Sequence, residues 1–476
     1  MLAYPESTTL EHAVPVIDNP LKFHGGTLRL AFRNLARNKR RNLATASAIG
    51  LGFAALLALG GFYHSMDGFL SAYTVYATRV GHLTIYKEGG FDHFWAEPKT
   101  YSLSPNDQAA IAGTLGELRQ VELSGGQLIA TGLIGNGCRT LPFVATGISP
   151  DIDASLREHR SITAWAEHAN QFTKGKGLKG FPLELAPVAL AQGLARRLSK
   201  PLVHGESGGL GNAIKVPDCQ SPTVKQDIMA DSNVQLLART WGGSMAVIDG
   251  EVVGHYDTGI KETQKSGMIV PLEMLQRLFD TGNVTYWSVW LKNPDKLRET
   301  QHAVEASLAK KGLKVEIYPW TSKLANPLYA GSMNFVFVMI VFLMGVLVAI
   351  VVLSIFNSST MTVIERAQEI GMMRSLGFTR SLISRLFAAE MLFLALGAIL
   401  AGGLVGILGI LAVNHSGIRL YPPGIGGGMQ LTLTPGASII ASAAALVVSI
   451  AMVTAIGVVR KIAHEKIPTL LLGSRR

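Results

Sequence analysis

The sequence predicts a membrane protein with four transmembrane α-helices and a large α+β extracytoplasmic (periplasmic) domain between helices 1 and 2. Composition is the first sign: 48% of the 476 residues are hydrophobic and 16% charged, against about 25% charged in soluble domains. Second, the windows 43–66, 324–364, 391–418 and 420–459 contain no Lys, Arg, Asp or Glu. Third, residues 67–323 mix strand and helix patterns over a length that suits one or two domains.

Taken from the N-terminus, residues 1–25 carry acids and prolines without an apolar run, so they read as a disordered cytoplasmic tail rather than a cleavable signal peptide. Residues 26–42, "GTLRLAFRNLARNKRRN", read as an amphipathic elbow helix lying on the membrane. The spans follow at 43–66, within 324–360, at 386–413 and at 436–460. Roughly 20 apolar helical residues cross a bilayer, and a buried soluble helix seldom lacks a polar face over such lengths. The second window exceeds that need, so its first ten or so residues read as a stalk that continues the helix outside the membrane.

Lys and Arg set the orientation. Arg29, Arg33, Arg37, Lys39, Arg40 and Arg41 precede span 1, and Arg366, Arg374, Arg380 and Arg385 lie between spans 2 and 3. Arg460, Lys461 and Lys466 follow span 4, whereas the loop at 414–435 has only Arg419. The positive-inside rule therefore places both termini (tail 461–476 included) in the cytoplasm and residues 67–323 outside. The same positions account for the formal charge of +10. Basic residues beside apolar spans meet lipid headgroups, whereas nucleic-acid binding collects them on a polar domain.

In the outer segment, "GHLTIYKEG", "TYWSVWLKN" and "KVEIYPW" read as strands from their β-branched and aromatic alternation. "DKLRETQHAVEASLAKKG" reads as a helix with Leu297, Ala303, Val304 and Leu308 on one face and Gly312 as its stop. "APVALAQGLARRLS" begins as a strand and turns helical. "GSMAVIDGEVVGHYD" reads as a hairpin turning at Asp249-Gly250. The Gly-, Ser- and Pro-rich stretch 200–225 is loop, and a smaller lobe is expected near 165–250. Cys138 and Cys219 both fall outside, where a disulfide is permitted; sequence leaves the pairing open.

The motifs of catalysis are missing or out of context. There is no G-x-x-x-x-G-K-[ST] phosphate loop and no H-E-x-x-H or C-x-x-C metal spacing among the 12 histidines and two cysteines; the one G-x-S-x-G match, Gly205 to Gly209, falls in the Gly-, Ser- and Pro-rich loop 200–225 rather than at a strand-to-helix turn. No metal site and no bound cofactor are expected of this chain, and it reads as a non-catalytic subunit. Ion coupling needs ionisable groups inside the spans. Glu390, near the cytoplasmic entrance of span 3, reads as a snorkelling or capping residue instead.

Energy must then arrive through another protein, and the charged insert at 361–385 is where it can be received. "VIERAQEIGMMRSLGFTRSLISRLF" sets Ile364, Ala367, Ile370 and either Met373 or Met372 at helical spacing, breaks at Gly377, and restarts with Leu382, Ile383 and Leu386. A short helix joined to two membrane helices can act as a lever. Glu365-Arg366, Glu369-Ile370-Gly371, Arg374-Ser375-Leu376-Gly377 and Glu390 resemble the "ER..EIG..R..G" pattern of FtsX-like ABC transporter permeases, the type VII or MacB-like superfamily. "AFRNLARNKRRNLAT" is similar to the elbow of that family, with Arg33, Asn34, Arg37 and Arg41 at the matching places. "FVATGISPDID", "ALAQGLARRLS" and "MIVPLEMLQRLFD" resemble landmarks of its periplasmic domain, and "YPWTSKLANPLY" resembles the lipoprotein-releasing permeases most.

The resemblance implies a bacterial inner-membrane permease that pairs with two copies of a cytosolic ABC ATPase, which binds the ATP and Mg. A second permease subunit (identical or not), membrane lipids and a periplasmic carrier or adaptor complete the implied partners. Glu365, Arg366, Glu369, Gly371, Arg374 and Gly377 are implied to contact the ATPase, with Ile370 and Met373 expected to supply apolar affinity, since exposed ion pairs contribute only about 0–1 kcal/mol each. The implied work is extraction or export of a lipoprotein, lipid or other amphiphile by mechanotransmission. Drug or peptide export through an accessory tunnel protein, or a signalling scaffold that regulates cell-wall hydrolases, are the alternatives. Gly402 and Gly406 form a small-xxx-small pair suited to close packing of span 3. The loop "GIRLYPPGIGGGMQLTLTP" and the long N-terminal tail depart from the lipoprotein-releasing pattern, so the cargo stays open.

Overall fold

Among the described residues, four helices in the computed structural model are long and apolar enough to cross a membrane, and the ten strands of the large sheet fall in the chain between the first two. The structure describes residues 39–166, 171–206, 219, 229, 231–420 and 429–463. The elbow residues Arg33, Asn34 and Arg37, the tail 1–25, most of 26–42 and residues 464–476 lie outside the described residues.

The first long helix, α1, spans Lys39–Ala72 and widens into a π-turn at Tyr73–Ala77. Two helices of the segment that follows are α2, Pro105–Gly116, and α3, Pro150–Arg157. Later come α4, Leu272–Phe279, and α5, Leu297–Lys310. The remaining long helices are α6, Pro327–Glu365, α8, Arg380–His415, and α9, Ala437–Ala463, with the short α7, Ala367–Ser375, between α6 and α8. At about 1.5 Å per residue, the 34 residues of α1 rise about 51 Å and the 39 of α6 about 58 Å. Both exceed the roughly 30 Å of a hydrocarbon core, as the stalk reading requires of α6. The expected coupling segment 361–385 is divided: its first turn completes α6, and its end already belongs to α8.

The chain forms two compact units. Among the described residues one comprises 39–58, 343–409 and 437–463; the other comprises 59–342 and the described part of 410–436. In the first unit, small residues let α1 and α8 approach to backbone contact. A Cβ on Gly402 would stand 2.2 Å from the Gly50 carbonyl oxygen, and one on Gly406 would stand 3.1 Å from the Ala54 Cα. The Thr45 and Ser358 hydroxyls bond to each other between α1 and α6.

The second unit is built on one sheet. Its strands are β1 Leu83–Lys87, β2 Val121–Gly135, β3 Thr140–Ile148, β4 Phe172–Gly175, β5 Pro187–Ala191, β6 Asn233–Arg239, β7 Met245–Tyr256, β8 Gly267–Pro271, β9 Tyr286–Leu291 and β10 Val315–Pro319. The long β2 belongs to two regions. Residues 121–127 pair with β9, continuing through β1 to β10. Residues 128–135 pair with β3, and the pairing then runs β3–β8–β5–β7–β6 and returns to β2 at Leu133–Gly135, closing a six-stranded ring. The strands of 165–250 thus pair with β2 and β8 from outside that interval. A two-residue pair, β11 Arg419–Leu420 with β12 Met429–Gln430, lies in the loop between α8 and α9.

Helix α5 packs Val304 and Leu308 with Ile111 and Leu115 of α2 over Leu83, Ile85, Val289 and Ile317, which makes an α/β two-layer core. Ser104 and Asp107 form a capping box that starts α2. Gly312 ends α5 at φ +75°. The hairpin at Asp249-Gly250 is corrected: β7 runs straight through these residues, and the turn to β6 lies at Thr240–Ser244, where Gly243 has φ +96°. Gly250 serves close approach instead, since a Cβ there would meet the Ala186 carbonyl oxygen at 2.9 Å.

The end of α1 is bolted into this unit. Val75 accepts from the Trp290 indole at 2.9 Å, and the Tyr73 hydroxyl donates to Thr258 at 2.5 Å. Arg79, at φ +64°, donates from Nε to the buried Asp153 at 2.7 Å, while Gln127 donates to the Arg79 carbonyl at 2.6 Å. Arg157 reaches the same carboxylate at 2.9 Å and lies 4.0 Å over the Phe172 ring. Burial alone would raise the Asp153 carboxyl, but Arg79 and Arg157 outweigh it and hold it below the ordinary range. A non-glycine left-handed residue held by this many partners is a position the surroundings over-determine.

Candidate functional site

The segment joining α6 to α8 places most of the predicted site residues together. The helix breaks at Arg366, whose φ of −99° and ψ of 14° depart from helical values, and α7 then runs for nine residues. Arg366 holds the break. Its Nε donates to Glu369 Oε2 at 2.8 Å, its Nη1 donates to Glu390 Oε2 at 2.8 Å, and its guanidinium lies 4.8 Å over the Phe387 ring. The Glu390 pair is largely enclosed, with 15% and 11% of the two side chains exposed, so its charges attract in a lower dielectric than a surface pair. Glu390, read from sequence as a snorkelling or capping residue, instead ties the start of α7 to α8.

The far end of α7 closes on glycine. Phe378 donates its backbone N–H to Met373 and Gly377 donates to Arg374, the pairing of a Schellman cap, with Gly377 at φ +91°. Nothing stands within 4 Å of a Cβ built there, so the backbone angle is what calls for glycine. Glu369 in the first turn and Arg374 in the last complement the helix dipole.

Burial divides α7 into two faces, and it corrects one expectation. Ile370 is fully buried, packed with Val363, Ile383, Phe387, Val458 and Val459, and Ala367 and Met373 lie against the same cluster. Ile370 and Met373 therefore seat α7 on α6, α8 and α9 rather than offering affinity to a partner. Gly371 is buried with them. The outward apolar residues are Met372, Leu376 and Phe378, with Leu376 72% exposed. Sequence reasoning left Met372 as an alternative to Met373 on the inward stripe and missed Leu376 and Phe378, because 370/373 and 372/376 both satisfy helical spacing and periodicity does not say which stripe faces in. Glu365 and Glu369 are exposed, while Arg374 is partly covered.

The other predicted residues are placed as follows. Gly402 and Gly406 meet α1 as described. Cys138 and Cys219 form a disulfide, their Cα atoms 5.5 Å apart, across 81 residues of sequence. Arg41 falls in the first turn of α1. Among the described residues, no three His, Cys, Asp or Glu side chains cluster as metal ligands.

Residues 341–467 match the family model described as FtsX-like permease C-terminal, which takes in the end of α6, the whole α7 segment, α8 and α9. No curated protein matches the chain. Among solved structures, the chain is similar to the extracellular domain of the noncanonical ABC-type transporter YknZ from Gram-positive bacteria, at 16% identity and a TM-score of 0.29, over 50% of this chain and 98% of that one. It is also similar to the periplasmic region of MacB from Actinobacillus actinomycetemcomitans, at 12% identity and a TM-score of 0.30, over 50% of this chain and 88% of that one.

Proposed function

We propose that this chain is the multi-pass membrane subunit of an ATP-driven ABC transporter, and that α7 is the helix through which a separate cytosolic ATPase moves it. The observation that carries the reading is the construction of α7 within the segment that matches the FtsX-like permease model. One face is locked to α6, α8 and α9 by Ile370 and by Arg366 with Glu390, and the other presents Met372, Leu376 and Phe378. Whatever grips the outward face displaces three long helices with it. Two ATPase copies, a second permease subunit and an inner-membrane location with both termini in the cytoplasm belong to this proposal.

The work is mechanical. ATP and Mg act in the partner, and α1 and α6, each longer than a bilayer needs, carry motion outward. The cargo is an amphiphile, a lipoprotein or lipid, handled at the outer unit. Exposed Glu365 and Glu369 set the register of α7 against its partner, each contributing little affinity. Purification of the full chain from native membranes tests this. The expected result is a stoichiometric nucleotide-hydrolysing subunit that is lost from Leu376→Asp; retention of that subunit by the variant would overturn the docking assignment.

A further inference from the structure

Part of the ring of strands in the outer unit is apolar on both faces, beside an outward row in which Gln235 donates to Asp249. Inward, Ile134, Phe143 and Leu236 are fully buried. Outward, alternation should bring polar residues, because a sheet with one face in water alternates hydrophobic-in and polar-out. Instead the register lines up Pro142 on β3, Leu133 on β2, Leu237 on β6 and Val247 on β7 as one cross-strand row. Val144 and Met245 lie in the next row, paired with Thr131 and Arg239. Leu133 and Val144 are each 41% exposed, Val247 51% and Met245 64%. Apolar surface gathered this way on a soluble face marks a binding site.

The surface is a groove of about 530 Å³, within the roughly 300–1,000 Å³ of small-molecule sites. Four strands at about 4.8 Å spacing make it about 15 Å across. One row of side chains of that length falls short of the roughly 800 Å² that each partner of a stable protein pair buries. Of the residues lining it, Arg239 is the one charged group, and no carboxylate joins it. A narrow apolar track ending at a lone guanidinium fits a molecule with a flexible hydrocarbon tail and an anionic head.

We infer that the outer face of β3, β2, β6 and β7 binds the acyl chain of an anionic amphiphile, with Arg239 facing its head group. The inference rests on the amphiphile reading above and deepens it by naming the site. The test uses the full chain in liposomes of phosphatidylethanolamine and phosphatidylglycerol, with photoactivatable hexadecanoic acid as probe and adducts mapped by mass spectrometry. Adducts are expected on peptides covering 131–144 and 237–247, reduced at least fivefold in Leu133→Asp/Val247→Asp. Both positions are already exposed, so the double variant should keep its fold, checked by retention of the Cys138–Cys219 bridge. Arg239→Ala should weaken labelling by the acid but not by the matching fatty alcohol.

Adducts confined to the four long helices, or unchanged in the double variant, would overturn the groove. So would protection of these peptides by a co-purifying protein instead of by lipid. Failure of the ATPase to co-purify would sink the transporter reading while leaving the labelling result intact, so the two failures are separable.

Discussion

Replacing Gly402 by alanine adds one methyl where α1 and α8 touch backbone to backbone. The new carbon would stand 2.2, 2.5 and 2.6 Å from the oxygen, Cα and carbonyl carbon of Gly50. No side chain can rotate aside, so the helices must separate. Overpacking of this kind costs about 1–3 kcal/mol, and backbone obstruction puts the change at the upper end. Gly409, seven residues on in the same helix, is the control: nothing lies within 4 Å of its Cβ position. There alanine should gain about 0.5–1 kcal/mol from helix propensity alone. The two substitutions are chemically identical, so they should differ by about 3 kcal/mol, with Gly406→Ala between them. Reversible unfolding of the full chain in mixed micelles measures the difference. Gly402→Ala as stable as Gly409→Ala would refute the close approach of α1 and α8.

Other predictions concern the outer unit and α7. His82 is pushed down to about 4 by burial, with help from His159, and its neutral Nδ1 accepts the Leu291 N–H. Because the folded value lies below the ordinary 6.5, the unfolded chain takes the proton first. Stability is therefore full above pH 6.5 and falls by about 3 kcal/mol as pH drops to 4; His82→Asn, which keeps an acceptor, should flatten that slope in pH-dependent melts. The depressed Asp153 carboxyl adds stability present above the unfolded value near 4 and lost only as pH falls through the lower folded value. Asp153→Asn takes the carboxylate from between Arg79 and Arg157 and should cost about 3–5 kcal/mol, read as faster proteolysis of the outer unit. Ile370→Asp should unseat α7 and lower expression, whereas Met372→Asp should leave the melt within about 0.5 kcal/mol of the parent, since exposed positions tolerate change.

Much of this was readable from residues. The four charge-free windows predict the long helices because a bilayer requires length and apolarity, both one-dimensional properties. Strands β1, β9 and β10 and helix α5 announce themselves through alternation and a glycine stop. The turn at Gly377 follows from the glycine between two apolar runs, whereas the break at Arg366, which divides the expected 361–385 helix, does not. What stayed hidden depends on partners far away in sequence. Asp249-Gly250 has turn chemistry, but Gly250 is there because Ala186 crowds it, a contact visible only in the fold. Closure of the ring through Leu133–Gly135, the Cys138–Cys219 bridge and the Arg366 bond to Glu390 likewise join distant residues. The inward and outward stripes of α7 were indistinguishable because the covering residues, Val458 and Val459, come from the last helix.

The account depends most on which face of α7 meets the cytosolic motor. A photo-crosslinking residue placed at Met372 or Leu376 in the native membrane measures this directly. The predicted result is a covalent product with a nucleotide-hydrolysing protein, formed from the cytoplasmic side and absent when the same residue is placed at exposed Val453 of α9. No product at either α7 position, or labelling of those positions by an impermeant reagent from outside the cell, would contradict it.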